Sequence, residues 1–531
     1  MMAQTTPLTA LAKMVVKDMA AGRAGEGIDL ALLAIDQMPD AAEQLVDLVI
    51  AEARRKKPNA RLIDAFALLL GHALETLRYG VERRLPDALA RADALRGTLR
   101  RLGRDGTLGP ETMVTILGQF AAAKLDPGDE LRNVMADVME EAGATSGGAD
   151  VGELADHLSA LAEAVKDEFE LFAQLQEFTA ALPDDSRSLF AVASFTPGVE
   201  RLREAAVGWL FDPASLVRRA TARTVEQTAP RRLVSGTMLR RMIQMRNWLP
   251  EADRAALDDA IRACRQNGIT VVPSKPAQVR DVFVSGWDGS GAQSVFVVAR
   301  EGRKTAIASV LLKLGVGVRD AWVQHGGSRR EADGMLDDID VRIGLIPSTE
   351  DYVHKAMAHA LTVNLISGVV PPFGLLDVVE TTGLANIQPN AVPVEEMVAS
   401  LCEAMPPEWL EPTAVARALK NSVAWDEQLP FVSSWFEDDA VVGEVLGSKR
   451  MAAPKALSAV LDGILEGRRR KWAELMAWTA FALRESDEDA DWPEFALVAR
   501  ELLAGRALRE IPAMMTIARV TAEAYAFRFR R

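Results

Sequence analysis

Residues 282–318 read, in succession, VFVSGW (282–287), DGSG (288–291), AQSVFVVAR (292–300), EGRK (301–304) and TAIASVLLKLGVGV (305–318). Two turn signals divide this stretch. Asp288-Gly289-Ser290-Gly291 and Glu301-Gly302-Arg303-Lys304 each place glycine where a chain reverses with positive φ. Between them, Ser294 to Arg300 is rich in Val and Phe, residues that suit a pleated, half-buried surface. Thr305 to Leu314 continues apolar. The pattern predicts three short strands in a meander. A lone hairpin is marginal in water, so this sheet needs a covering layer. The rest of the chain reads as helix, which supplies the cover. The expected fold is mainly α, with a small antiparallel β-meander inserted near the middle.

The turn Gly286-Trp287-Asp288-Gly289-Ser290-Gly291 invites comparison with phosphate-binding loops. It lacks the GxxxxGK[ST] spacing, and no well-marked helix follows to offer a positive N-terminus. A hairpin turn with one exposed aromatic is the plainer expectation. Trp287 and Asp288 are kept as candidate binding residues. Gly315-Val316-Gly317 suggests a bulge or a close backbone contact.

A chain of 531 residues is long enough for two to four domains or one extended repeat array. Apolar residues make up 49%, ample for a core, and the formal net charge of −14 argues against a uniformly nucleic-acid-coating surface. Cys264 and Cys402 are far apart and form no CxxC pair, which excludes a disulfide framework and a zinc–thiolate site and fits a reducing compartment. The N-terminus carries Lys13, Lys17 and Asp18 within its apolar part and does not read as a signal peptide. No run of about 18 apolar residues predicts a membrane span. The expected location is cytoplasmic.

Outward from the centre, helical periodicity dominates. In 7–142, Leu30, Leu33, Ala34 and Met38 suggest one apolar face, and Val46, Val49 and Ile50 another. Pro58, Pro86, Pro110 and Pro127 punctuate helix pairs. Gly143 to Asp150 is small and polar, a linker candidate. Leu154–Ala181 and 231–268 read as helices, the latter ending near Gly268 as a C-cap. Glu331 to Asp340 reads as a loop or short helix, and Val341 to Ile346 as a fourth short strand. Thr349 to Ser367 reads as a helix with Ser348 or Thr349 as cap and Glu350 and Asp351 in the first turn. Further helices are expected at 393–404, 412–424, 431–446, 454–484, 493–504 and 511–527. The acidic tract Glu485 to Asp491 reads as a solvated loop. These boundaries suggest four domains: 1–142 helical, 153–275 helical, 276–346 the meander, and 347–531 helical.

Residues 199–230 run ERLREAAVGWLF (200–211), then Asp212-Pro213, then ASLVRRATARTVEQTAP (214–230). Asp212 is a good N-cap, and Pro213 is tolerated just inside a helix start because its missing N–H would be unpaired there anyway. Leu216, Val217 and Ala220 form a narrow apolar stripe. The segment resembles a HEAT-type repeat, with Asp212, Pro213, Val217, Arg218, Ala220 and Ala222 at the matching positions. That resemblance implies stacked helix pairs. Such arrays mostly act as binding surfaces, and a minority bind nucleic acid. No strict repeat at fixed period precedes or follows, so the array implied is an irregular α-solenoid.

Chemistry-bearing constellations are few. His354 and His359 are five apart and leave a helix in different directions, which excludes an HxxxH metal pair. His325 stands near Asp333 and Asp337 in sequence, without a recognised ligand spacing. Asp333, Asp337, Asp338 and Asp340 do not fit a calcium loop and read as a solvated face. No GxSxG, HExxH or dinucleotide fingerprint occurs, so no catalytic residue, metal or cofactor is assigned. Trp472, Trp478, Trp492 and Phe495 read as helix-packing core before they read as a recognition cluster.

Charge carries the remaining signal. Residues 201–250 hold ten arginines against three acids, a local excess of seven in an acidic chain. Guanidinium suits bidentate contact with phosphate or carboxylate. Arg218, Arg219, Arg223, Arg240, Arg241 and Arg246 are therefore candidate binding residues, unless they pair with the chain's own acids. The leading functional expectation is a non-enzymatic helical-repeat scaffold or adaptor that binds a protein partner. Nucleic-acid or nucleotide binding through these arginines is the alternative. An enzyme with its site near Trp287, Asp288 and His325 is a third.

Overall fold

The structure, a computed structural model, describes residues 7–20, 25–145, 151–165, 167–196, 198–384, 386–447, 451–486 and 491–527. The chain divides into two compact units, Met1–Ala206 and Val207–Arg531. This single division lies inside the segment 153–275 rather than at 142 or 275.

The N-terminal unit is helical throughout its described residues. Its helices are α1 (Pro7–Ala20), α2 (Glu26–Ile35), α3 (Ala41–Ala53), α4 (Ala60–Glu82), α5 (Pro86–Arg104) and α6 (Pro110–Ala122). They continue with α7 (Asp129–Thr145), α8 (Val151–Ala164), α9 (Glu168–Thr179), α10 (Asp184–Ala193) and α11 (Glu200–Ala206). Local chemistry sets the starts. Asn59 accepts the Leu62 N–H at 3.3 Å to cap α4, Asp167 accepts two amides of α9, and Pro86 and Pro110 open α5 and α6 where their missing N–H costs nothing. The core is aliphatic, with Leu45, Val46, Val49, Leu69, Leu70, Leu74, Ile116 and Phe120 fully buried. On α2 the buried residues are Ala31 and Ile35, whereas Leu30 and Leu33 face solvent, so the expected apolar face is turned outward there. Of the expected linker, Gly143 to Thr145 continue α7, and residues 146–150 lie outside the described residues.

The second unit is α-helical around one five-stranded antiparallel sheet. Its strands are β1 (Gln278–Ser285), β2 (Ala292–Glu301), β3 (Lys304–Lys313), β4 (Gly317–Gly327) and β5 (Leu345–Pro347), in the order β4-β3-β2-β1-β5. The three expected strands are present. β4 is an addition, and the strand expected at 341–346 is confined to 345–347, because Val341 to Ile343 close a helix. Helices before the sheet are α12 (Ser215–Thr228), α13 (Gly236–Met245) and α14 (Glu251–Gln266). After it come α15 (Arg329–Ile343), α16 (Glu350–Ser367), α17 (Gly374–Thr382), α18 (Val394–Ala404), α19 (Pro412–Asn421) and the short α20 (Trp425–Gln428). The chain then forms α21 (Ala440–Leu446), α22 (Ala453–Val460), α23 (Arg469–Arg484), α24 (Trp492–Leu503) and α25 (Pro512–Phe527). The helix expected over 431–446 is α21 alone, preceded by a 3-10 turn, and the one expected over 454–484 is interrupted by a π-helical stretch at Leu461–Leu465.

Alternation along the strands gives the sheet two covered faces. Phe283, Phe296 and Ile307 point at Ala332, Met335, Leu336 and Ile339 of α15. The other face carries Val295, Val297, Ala299, Ala306, Ala308, Val310 and Ala321, all buried, and α16 and α17 pack on strands of the sheet. Its small side chains let backbones approach closely. Gly317 has φ of +104°, and a Cβ there would overlap Asn364 of α16, whose amide accepts the Val318 N–H at 2.8 Å and donates to the Val316 and Val318 carbonyls. The expected close contact at Gly315 to Gly317 is thus a helix capping the sheet edge. Thr349 caps α16 as expected, accepting the Tyr352 N–H at 3.2 Å.

The HEAT-like segment departs from the expected geometry at its turn. α11 passes into a 3-10 stretch at Val207–Phe211, and α12 starts only at Ser215. Asp212 is buried and accepts the Ala214 N–H at 2.8 Å, so it shapes the turn and is not the helix cap. Leu216 is exposed, and α12 buries Val217, Thr221, Ala222, Val225 and Thr228. The helices α11 and α12 fall in different units.

Candidate functional site

The structure brings together one constellation that the sequence spaced far apart. His325, near the end of β4, lies between two carboxylates. Nδ1 is 2.9 Å from Glu301 at the end of β2, and Nε2 is 3.1 Å from both oxygens of Asp377 on α17. Asp377 is buried and accepts the Thr381 hydroxyl one turn further along the helix at 3.2 Å. The hydrogen bond to Asp377 raises the His325 pKa from its ordinary 6.5 to about 9 against the opposing effect of burial, with Glu301 adding to the rise. At neutral pH the ring is an imidazolium donating from both nitrogens. Both ring nitrogens are thus engaged by the chain's own carboxylates. Asp333 and Asp337, its neighbours in sequence, are exposed on α15 and do not meet it. Among the described residues, no three His, Cys, Asp or Glu side chains are grouped to hold a metal ion.

The turn at 286–291 is a hairpin whose glycines serve packing. Asp288 accepts the Ala292 N–H at 2.9 Å and the Ser290 hydroxyl at 2.8 Å, which closes the turn. A Cβ on Gly286 would overlap three carbons of the Phe431 ring, and one on Gly289 would overlap the Ser434 carbonyl oxygen. The Gly289 N–H donates to Ser434 Oγ at 3.0 Å, and Trp435 Nε1 donates to the Trp287 carbonyl at 2.8 Å. The loop 430–435 therefore packs directly onto the turn. Trp287, expected to be exposed, is buried. Its Nε1 donates to the Tyr352 hydroxyl at 3.2 Å, and that hydroxyl donates to Gln293 at 2.8 Å. Trp287 also packs 6.1 Å from Trp478, centroid to centroid. Trp472, Trp478 and Phe495 are core, and Trp492 is half-buried.

Most of the candidate arginines are bound to the chain's own acids. Arg218 is buried and places Nε and Nη2 at 2.8 and 2.5 Å from Asp253 of α14, while Nη1 donates to the carbonyls of Asp212 and Pro213. Arg219 shares Asp253 at 2.9 Å. The Asp253 carboxyl would be raised by burial, but bonds from Ser215, Arg218 and Arg219 hold it below the usual carboxylate range. Arg240 and Arg241 of α13 converge on Glu380 of α17 at 2.8 and 2.9 Å. Arg246 grips Asp258 with two bonds. These forks tie α12 to α14 and α13 to α17. Arg223 is exposed with no ion-pair partner among the described residues.

Several large apolar side chains are also open to solvent. On α10, Leu189 (64% exposed) and Val192 (46%) stand one turn apart, while Ala191 and Ala193 are buried. Phe178 of α9 is exposed beside them, its ring edge-on to Phe190 of α10 at 5.9 Å. Leu30 and Leu33 of α2 repeat the same spacing, 56% and 62% exposed. Residues three apart share one helix face, so each pair is a continuous apolar stripe. Periodicity alone locates the leucines but cannot tell which side of a short apolar helix is covered.

Comparison with known proteins gives two domain matches. Residues 183–268 match the Y4lR second domain, and residues 395–526 match the Y4lR C-terminal helical domain. The chain is 27% identical over 493 residues to the uncharacterized protein y4lR of Sinorhizobium fredii, an alignment covering 90% of this chain and 91% of its counterpart. No solved structure matches the chain. No helix of the described residues is long and apolar enough to cross a membrane.

Proposed function

We propose that this chain is a non-enzymatic helical scaffold or adaptor of the cytoplasm that binds a protein partner. On this reading its helix pairs are HEAT-like in character and form an irregular α-solenoid. The observation that carries it is the pair of exposed apolar stripes, Leu30/Leu33 and Leu189/Val192, each opposite a face its own helix has already buried. Single exposed apolar residues are ordinary, but stripes at helical spacing are the form in which a helix meets a partner. The central chemistry supports the same reading. His325 has both nitrogens engaged, and the turn at 286–291 is filled by the chain's own loop.

Replacing Leu30, Leu33, Leu189 and Val192 together by Glu tests it. These residues are solvent-facing, so the thermal midpoint should stay within a few degrees. Cross-linking followed by mass spectrometry should then lose a partner that the unsubstituted chain captures. A variant that keeps every cross-linked partner at undiminished yield defeats the reading.

A further inference from the structure

The N-terminal unit carries a basic surface built from residues other than the arginines that charge counting singles out. The connection between α3 and α4 reads Arg54-Arg55-Lys56-Lys57, and Arg61 follows in the first turn of α4. Helices α4 and α5 are joined by only three residues and pack together, so the end of α5 returns to the level where α4 begins. This brings Arg100, Arg101 and Arg104 to the same end of the bundle. An open notch of about 660 Å³ is lined there by Gly97, Arg100, Arg101, Arg104, Asp105 and Glu130. Asp105 links the two stretches. Hydrogen bonds from Thr107 hold its carboxyl below the usual range, and Arg101 and Arg54 act on it in the same direction.

Partnering separates this patch from the 201–250 arginines. Arg55 pairs with Glu52, and Arg100 pairs with Glu130. Arg54, Lys56, Lys57, Arg61, Arg101 and Arg104 are exposed and have no ion-pair partner among the described residues. Six uncommitted cations at one end of an otherwise acidic chain are a local field of opposite sign to the whole.

We propose that this patch binds the phosphate backbone of double-stranded nucleic acid without reading its sequence. Guanidinium and ammonium groups in a row match closely spaced phosphates. A membrane-binding surface would set apolar side chains among the cations for insertion, and none of the large exposed apolar residues lies in 54–61 or 97–105. Single-strand binding relies on aromatic stacking, and both segments lack Phe, Tyr and Trp. A duplex backbone needs neither.

The test uses the full chain and a fluorescently labelled 24-base-pair DNA duplex of mixed sequence, with binding read by anisotropy. If four to six phosphates are engaged, log affinity should fall against log salt with a slope of about −4 to −5, or several-hundred-fold between roughly 50 and 200 mM. Replacing Arg54, Lys56, Lys57 and Arg101 together by Gln should weaken binding by roughly 50-fold or more at about 100 mM salt. Replacing the exposed Arg231, Arg232, Arg265 and Arg303 by Gln should leave it within about threefold, since those residues are not part of the patch. The salt slope of the unsubstituted chain is an independent readout that needs no variant. The proposal is overturned by any of four results: no duplex binding at low salt, a slope near zero, a loss that follows the second set of substitutions, or binding confined to phosphatidylserine vesicles or poly-glutamate.

Discussion

Gly286 stands where the end of β1 meets the loop 430–435, and a single methyl group tests that fit. Gly286→Ala would place Cβ well inside van der Waals contact distance of Cγ, Cδ1 and Cδ2 of Phe431. The ring is half-buried and must move as a unit. Overpacking of this kind costs about 1–3 kcal/mol. Phe431→Ala alone forfeits part of a half-buried aromatic, again about 1–3 kcal/mol, less than the full cost of a buried ring. In the double variant the obstruction is gone. The alanine at 286 then restricts the unfolded chain, which contributes about 0.4–1 kcal/mol in favour of folding. The double variant should therefore be more stable than the sum of the singles by about 1–3 kcal/mol. Urea unfolding followed by tryptophan fluorescence measures all three variants, since Trp287 and Trp435 sit in this contact. Gly289→Ala supplies the contrast. There the obstruction is backbone, the Ser434 carbonyl, with the Trp435 Cα 3.0 Å away. It also threatens the Gly289–Ser434 and Trp435–Trp287 hydrogen bonds, so the loss should reach about 3–5 kcal/mol and should not be rescued by Phe431→Ala. A coupling below about 0.5 kcal/mol between positions 286 and 431 would refute the packing account of these glycines.

Two further outcomes follow from the ion pairs. The His325 pKa is raised in the folded chain, so its contribution to stability is complete below its ordinary 6.5 and is lost as pH rises through about 9. His325→Gln should flatten the stability-versus-pH curve between those values, and an unchanged curve by denaturant titration counts against the carboxylate-flanked imidazolium. Glu380→Gln removes the negative charge that Arg241, only 2% exposed, engages through Nε and Nη2 and should cost about 3 kcal/mol, whereas the exposed Arg223→Gln should cost under about 0.5 kcal/mol. Equal midpoints for the two variants in thermal melts would sink that distinction.

Helix and strand identity were legible where a local signal sufficed. Val and Phe content marked β2, the apolar run after the Glu301–Lys304 turn marked β3, Thr349 with Glu350 and Asp351 marked the start of α16, and Pro110 marked the start of α6. Misreadings share one cause. β4 carries Arg319, Asp320, Gln324 and His325, so its pattern does not look like a buried strand, and its pairing comes from β3 alone. Val341 to Ile343 look strand-like but extend α15, whose N-terminus is secured by a reciprocal bond between Ser328 and Glu331. Leu30 and Leu216 were placed in the core because periodicity defines a stripe without saying which neighbour, if any, lies against it.

By itself the chain's order of residues determined a mainly helical protein with one antiparallel insertion, since propensity, turn chemistry and caps act over a few neighbours. Only tertiary contact decided what the charged residues do. Asp253 lies 35 positions from Arg218, and Glu380 lies 139 from Arg241, so no window along the chain could reveal that these cations are neutralised internally. The run Arg54 to Lys57 is equally plain in sequence, and what distinguishes it is that, among the described residues, Arg54, Lys56 and Lys57 form no ion pair, the Asp105 carboxylate acting on Arg54 only through its field. Coulomb attraction depends on distance through space, and folding alone sets that distance.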